Sequence, residues 1–479
     1  MTHLPVLAVI APLFYAFLMP LLEYIPIRVR RTGTVLFAAG QIVLVLLMIP
    51  QVVAEGVIEY HVGGWVPPIG IVLVVDGFSL LFALLAAVGI GMVILYSLDY
   101  VDRREYRYFV LLFLVQTGVT GMLLTGDMFN LYVFFELASM ASFPLIAFAG
   151  SRIAVEAALR YLVYSTIAAA FILLAIGLVY GATGTLNLRQ AAVGLASADA
   201  LVRSMVLGLL LTGLAIKVAL VPFHVWLPVA HSTAPAPVSA LLSGVMLKIA
   251  VYAIVRLLLA FGHGVQLARL EFVLLNLGTL AIVVGHWLAL GQSNFKKTLA
   301  WSSIAHVGII VTGMGLGTVQ GMAGALFHSI NHMFMKSLAF FAVGRLGRDR
   351  GFEMADMKGT GWRTPLAAAA LIASALSLTG LPPLAGFIGK WEITVETLRE
   401  RHFVHAAAIP FGTLLSAIYL GRMVRVVFGE AAPGGASREP GGLLTGLVFV
   451  MGTAGCLVPF VLWDSMWSVV LHVASLVFV

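Results

Sequence analysis

Apolar runs of roughly 17–25 residues, each long enough to cross a bilayer as a helix, recur from Leu4 to near the end of the chain. About fourteen such spans can be drawn, at 4–22, 33–53, 77–98, 108–126, 128–149, 158–180, 202–222, 237–262, 271–291, 299–316, 318–344, 365–398, 404–428 and 441–462. The twelfth is interrupted, and the remaining segment, 463–479, is expected along the membrane surface. The pattern predicts an all-α polytopic membrane protein.

Composition agrees with the pattern. Of 479 residues, 61% are hydrophobic and only 10% charged, too few charges to cover a soluble surface. The first apolar run has no basic stretch before it and reads as a retained span rather than a signal peptide. A single cysteine, Cys456, excludes an internal disulfide framework and any cysteine-built zinc or iron–sulfur site. There is no nucleotide-binding fingerprint and no soluble domain of any size. The net charge of +7 needs no nucleic acid, because the basic residues follow the loops.

With the N-terminus outside, loops after odd-numbered spans hold Arg28, Arg30, Arg31, Arg103, Arg104, Arg107, Arg152, Arg160, Lys296 and Lys297. They also hold Arg345, Arg348, Arg350, Lys358, Arg363, Arg422, Arg425 and Arg438. The opposite side carries only Arg189, Arg203, Arg269, Arg399 and Arg401. Basic residues concentrate on the cytoplasmic side of membrane proteins, so both termini are expected on the non-cytoplasmic side. The loop 54–76 has three acids and no base and fits the outside. Five basic residues then remain within apolar runs: Lys217, Lys248, Arg256, Lys336 and Lys390.

Two spans are broken by proline. "GLAIKVALVPFHVWLPVAHSTAPAPVSALLSGVMLK" contains Pro222, Pro228, Pro235 and Pro237, and "SALSLTGLPPLAGFIGKWEI" contains Gly380, Pro382, Pro383 and Gly386. Proline removes a backbone donor and clashes with the preceding turn. Carbonyls freed in this way at membrane depth are tolerated only against protein or a watery cavity. A pair of interrupted spans in the two halves of a transporter points to an ion or substrate path. Simple kinks are the plainer explanation, but Lys217 precedes one break and Lys390 follows the other.

The stretch "TGDMFNLYVFFELASM" places Glu136 inside a span, where a charge costs roughly 2.5–3.5 kcal/mol on insertion scales. One acid cannot neutralise Lys217, Lys248, Lys336 and Lys390 together, so these do not read as structural pairs. An amine taken out of water and left unpaired sheds its proton more readily, which makes the lysines candidates for a proton relay. "GALFHSINHMFMKSLAFF" adds His328, His332 and Lys336 at i, i+4 and i+8, on one helical face and about 12 Å from end to end. His306 and His231 are candidates to extend this ladder, whereas His224, His263 and His286 read as satisfied core residues. Metal or haem ligation by His328 and His332 is an alternative; it needs ligands from other helices, and Lys336 on the same face disfavours a cation. In the relay, Lys217 pairs with Glu136, and a hinge at the first break makes and parts the pair. The proton then passes to Lys248, along His328, His332 and Lys336, and on to Lys390.

The chain resembles the antiporter-like subunits shared by Mrp-type multisubunit sodium/proton antiporters, respiratory complex I and membrane-bound hydrogenases. "GGWVPPIGIVLVVDGFSLLFALL" and "TGDMFNLYVFFE" are most similar to the Mrp D subunit, whereas "PFHVWLPVAHSTAPAPVSALLSGVMLK" and "FHSINHMFMKSLAFF" resemble both Mrp and complex I versions. The resemblance implies a fold of fourteen helices with two inverted five-helix repeats, each containing a broken helix. Peripheral helices would occupy 1–106, the repeats 107–262 and 263–430, and the last helix with the C-terminal segment 431–479. It identifies Glu136 and Lys217 with the family's glutamate–lysine pair, Lys248 with its central lysine and Lys390 with its terminal lysine, a glutamate in some complex I paralogues. His328, His332 and Lys336 match the connecting polar residues. "WLPVAH" departs from the pattern, having Val229 where complex I relatives often carry an acid. The chain also ends soon after the last span, unlike the distal complex I subunit and the Mrp A subunit.

What the resemblance implies is an ion-translocating subunit in a prokaryotic cytoplasmic membrane. Its partners would be other membrane subunits, including paralogues; its ion the proton, with sodium exchanged in the antiporter case; and it would hold no cofactor or metal. An Mrp-type antiporter and a redox-driven pump of the NADH:quinone oxidoreductase or hydrogenase kind both remain open. A docking subunit without an ion path fits the charged line poorly.

Overall fold

The computed structural model describes residues 3–101, 105–259, 261, 265–430 and 442–477. Arg103, Arg104, Arg438 and His263 lie outside the described residues. Among the described residues, eleven helices are long and apolar enough to cross a membrane, from Leu4–Leu22 to Leu443–Val461. The other three expected spans fall short of that apolar test for a physical reason. Phe295–Met314 and Val319–Leu346 carry the lysines and histidines of the polar line, and the span from 365 is broken into Pro365–Thr379 and Ala385–Arg399. Phe295–Met314 and Val319–Leu346, which carry the polar line, are buried along most of their length.

Helix starts are set by local chemistry. Asp76 accepts from the Ser79 amide and Ser79 returns a bond to the Asp76 amide, capping the helix Gly77–Tyr100. Asp127, Ser151, Asn187, Asn294 and Thr318 each cap the helix that follows by accepting from a backbone N–H of its first turn. The acidic loop after the second span folds as an antiparallel hairpin of Val57–His61 and Val72–Asp76, in register Val57 to Asp76 and His61 to Val72.

The first break follows Lys217, the last residue of the helix Ala200–Lys217. The chain then runs irregularly, with Ala219 at φ 57°, to a short helix Trp226–Thr233, and Pro235 caps the next segment. Trp226 donates its indole N–H to the Ile216 carbonyl at 2.9 Å, satisfying one group exposed by the break. The second break follows Thr379, where Gly380 takes a left-handed conformation at φ 84°. The C-terminal helix Trp463–Ser475 packs on Val319–Leu346, with the Phe327 and Trp467 rings 6.1 Å apart.

Small residues let the polar helices approach closely. A side chain at Gly308 would meet the backbone at Gly278 and Ile282, and one at Gly386 would overlap the Ser377 carbonyl across the second break. Gly386→Ala should therefore force the two half-helices apart, a repacking that costs about 1–3 kcal/mol. A clear fall in the melting temperature of the purified complex is expected; an unchanged value would mean that the halves part freely.

Candidate functional site

Glu136 and Lys217 meet. Glu136 sits midway along Met128–Ile146, and Lys217 Nζ donates to its Oε1 at 2.6 Å. Lys217 also donates to Ser139 Oγ at 2.9 Å and Ser165 Oγ at 2.6 Å, and its ammonium lies 4.7 Å from the centre of the Phe135 ring. The pair is asymmetric: the lysine side chain is 2% exposed and the glutamate 22%. The carboxylate thus faces the edge of the pair open to rearrangement, while the amine is enclosed by two hydroxyls from different helices. Its position in the last turn of its helix ties Lys217 directly to the break.

Lys248 lies on a segment, Ala236–Leu258, that is buried apart from Arg256. Its amine donates to the Ser243 carbonyl at 2.5 Å and is hydrogen-bonded to His332 Nδ1. Ser243 belongs to a π-helical turn, Leu242–Met246, and such turns release carbonyls from the regular ladder. Ser243 Oγ also meets Ser303 Oγ at 2.8 Å, joining this helix to Phe295–Met314.

The histidine ladder forms, and His306 joins it. His332 and His306 stack with ring centres 5.1 Å apart, and His306 Nδ1 shares a 3.0 Å hydrogen bond with His328 Nε2. All three rings are fully buried. Among the described residues His306 Nε2, His328 Nδ1 and His332 Nε2 have no hydrogen-bond partner, leaving one nitrogen of each ring available to pass a proton onward. Lys336 turns toward the same neighbouring helix, donating to the Leu299 carbonyl at 2.8 Å and to Ser302 Oγ. Among the described residues, no group of three or more His, Cys, Asp or Glu side chains is arranged to hold a metal ion.

The far end of the line is Lys390, on Ala385–Arg399. That helix packs against His328: a side chain at Gly389 would strike the imidazole. Lys390 Nζ donates to the carbonyls of Leu378 and Thr379 at 2.9 and 3.0 Å and to Thr413 Oγ1 at 3.3 Å. These are the last carbonyls before the second break, so the lysine satisfies the groups that the break frees.

The structure therefore brings Lys248, His332, His306 and His328 into one run, with Lys336 beside it and Lys390 on the helix packed against His328; among the described residues no hydrogen bond joins Lys390 to a histidine of the run. Among the described residues no hydrogen bond joins the Glu136–Lys217 pair to Lys248. His231 stands apart: it stacks on Phe340 at 4.8 Å, and among the described residues neither ring nitrogen has a hydrogen-bond partner. His286 is buried against Tyr419, its Nδ1 3.0 Å from the hydroxyl.

Lys296 is the residue that its sequence position concealed. Counted with the loop before span ten, it is instead 1% exposed, donating to the Ala234 carbonyl at the end of Trp226–Thr233 and lying 4.6 Å from the Phe352 ring centre. The only available signal was that "NFKKTLAW" has Asn294 as a helix cap, which places both lysines inside the helix. The Lys390 geometry gives its removal a structural cost. Lys390→Ala should lower the melting temperature as well as affect transport, because two buried carbonyls lose their donor at about 1–3 kcal/mol. An unaltered melting temperature would show that other groups take over those carbonyls.

Residues 125–416, which include both breaks and the whole polar line, match the family described as NADH:quinone oxidoreductase/Mrp antiporter, TM. Over 453 residues the chain is 37% identical to the N subunit of the NADH-quinone oxidoreductase of Desulforudis audaxviator, covering 91% of this chain and 89% of the relative. It is 32% identical over 421 residues to the D subunit of the Na(+)/H(+) antiporter of Bacillus subtilis, covering 87% and 85%. The fold is similar to that of a chain in the membrane-bound sulfane sulfur reductase, an archaeal respiratory membrane complex. The TM-score is 0.93 and the identity 30%, over 99% of this chain and 97% of the other. With more than half its length matched and relatives aligned over nearly all of it, the chain belongs to the NADH:quinone oxidoreductase/Mrp antiporter family of membrane subunits.

Proposed function

We propose that this chain is a proton-translocating, antiporter-like subunit of a multisubunit membrane complex that exchanges sodium for protons in the manner of an Mrp antiporter. The observation that carries this reading is the buried run from Lys248 through His332 and His306 to His328, assembled from three segments and containing no acid, with Lys390 on the helix packed against His328. A run of amines and imidazoles binds protons and offers few oxygen ligands for sodium, so protons are the ion moved along it.

Glu136 and Lys217 form the switch. Their contact favours the ammonium, and separation in apolar surroundings favours proton release. Because Lys217 ends its helix at the break, a change in the break moves the amine relative to the carboxylate. Each tenfold change in proton affinity corresponds to about 1.4 kcal/mol, well within what parting a buried pair supplies. Lys248 receives the proton, the imidazoles pass it on, and Lys390 delivers it at the second break; Lys336 adjusts the charge beside the run, and His231 and Lys296 lie on its flank.

The segments 107–262 and 263–430 act as two halves, each built around one broken helix. Both termini lie on the non-cytoplasmic side of a prokaryotic cytoplasmic membrane, and the partners are further membrane subunits, paralogues among them. The likeness to the N subunit of an NADH-quinone oxidoreductase and to a respiratory reductase chain supports a second function, the pumping subunit of a redox-driven complex. The same proton line serves either.

Glu136→Gln in the native complex, reconstituted into vesicles, should slow proton transport about tenfold or more, a loss of ~1.4 kcal/mol or more, with normal assembly. Transport at the native rate would remove the pair from the switch. Mass spectrometry of the subunits that copurify in mild detergent then separates the two functions: flavin or iron–sulfur proteins mark the redox complex, and only membrane subunits mark the antiporter.

A further inference from the structure

The buried segment that carries Lys248 carries two more polar side chains on the same face, Tyr252 and Arg256, at successive steps of four residues. Tyr252 is 1% exposed; its hydroxyl donates to the Leu123 carbonyl at 2.8 Å and accepts from Arg256 Nε at 2.8 Å. The Arg256 guanidinium also donates to both carboxylate oxygens of Asp76, at 2.5 and 2.6 Å, and lies over the stacked rings of Phe78 and Tyr252. Arg256 belongs to a second π-helical turn, Ile254–Leu259, and the widened turn re-aims its side chain.

The Arg256–Asp76 pair is not sealed. Its side chains are 24% and 18% exposed, and both line a cavity of about 730 Å³ together with Glu59 and His61 of the hairpin, Thr125 and Arg189. These wall residues come from segments that the charge count places on the non-cytoplasmic side. A pair needed only to fasten the hairpin would be equally effective buried, and Asp76 already caps its own helix. Here the pair stands between open water and a phenol that leads toward Lys248.

We propose that an outward branch of the proton path leaves Lys248 along this face, through Tyr252, and opens at the cavity, with the Arg256–Asp76 pair as its gate. This rests on the reading of the chain as a proton carrier. In the conducting step Arg256 swings off Asp76. An N–H bond of the Lys248 ammonium breaks, and its proton reaches the Tyr252 oxygen across a bridging water as the phenolic proton moves to the Asp76 carboxylate. Tyr252 ends as a neutral phenol and Lys248 as a neutral amine. Asp76 then gives its proton to water in the cavity, and Arg256 returns to close the gate.

The test uses the whole complex in vesicles with the hairpin side outward. Ala192→Cys places a thiol on the cavity wall; the complex with the native chain, whose cysteine is buried, is the control. Before treatment the variant should transport as the native chain does. A membrane-impermeant cationic thiol reagent added outside should then attach and slow transport several-fold, leaving the control unaffected. Tyr252→Phe, which keeps the ring stack and loses the hydroxyl, should also slow transport several-fold at a normal level of assembly. Failure of the reagent to attach, or attachment without slowing, would overturn the opening, and native transport by Tyr252→Phe would overturn the branch. If Tyr252→Phe does not assemble, the reagent result decides. Lys248→Met in the same assay tells the two readings apart. If it abolishes transport while the cavity variants are normal, only the branch fails; if it transports normally, the proton-carrier reading fails as well.

Discussion

Every irregular turn of helix at membrane depth leaves carbonyl oxygens that must find donors, and the placement of the buried lysines in this protein follows from that requirement. Lys390 takes the last two carbonyls before the second break, Lys296 takes the carbonyl that ends the short helix after the first, and Lys248 takes one from a π-helical turn. At each of these three places a freed carbonyl is taken by an amine. The same contacts explain how these amines are accommodated where no acid meets them: carbonyl dipoles and hydroxyls solvate the ammonium without an opposing charge to hold it.

That arrangement has a functional consequence. An amine locked to a carboxylate is fixed in its charged form, whereas one held by dipoles can be charged or neutral with modest change in its surroundings. Among the described residues Lys217 is the exception, the one buried lysine whose amine meets an acid, and it stands at the break whose movement would alter that contact. Beyond it, imidazoles with one nitrogen engaged and one free can relay a proton between amines that differ in protonation. The packing serves the same end. Gly389 against His328 and Gly308 against Gly278 bring helices close enough for rings and amines to touch without intervening apolar side chains.

Much of this was legible in the residues. The spans, the two proline breaks, Glu136 and Lys217 as charges within spans, and the ladder of His328, His332 and Lys336 all follow from local pattern, because the bilayer makes apolar length and buried charge costly enough to read singly. Lys296 escaped because a lysine at the start of a span looks like a loop residue until tertiary packing covers it. The cap at Asn294 hinted at helix, but nothing in the sequence announced burial.

The sequence by itself determined that the chain crosses a membrane many times, that its basic residues gather in alternate loops, and which titratable groups lie within apolar runs; these depend on hydropathy and helical spacing, which are local. Only the tertiary structure decided which of those groups touch. That His306 lies between His328 and His332, that Lys248 meets His332, and that Asp76 and Arg256 close a cavity 180 positions apart in the chain are consequences of helix packing. Helical spacing assigns a side chain to a face, but the neighbour across that face is chosen by the packing of the whole bundle.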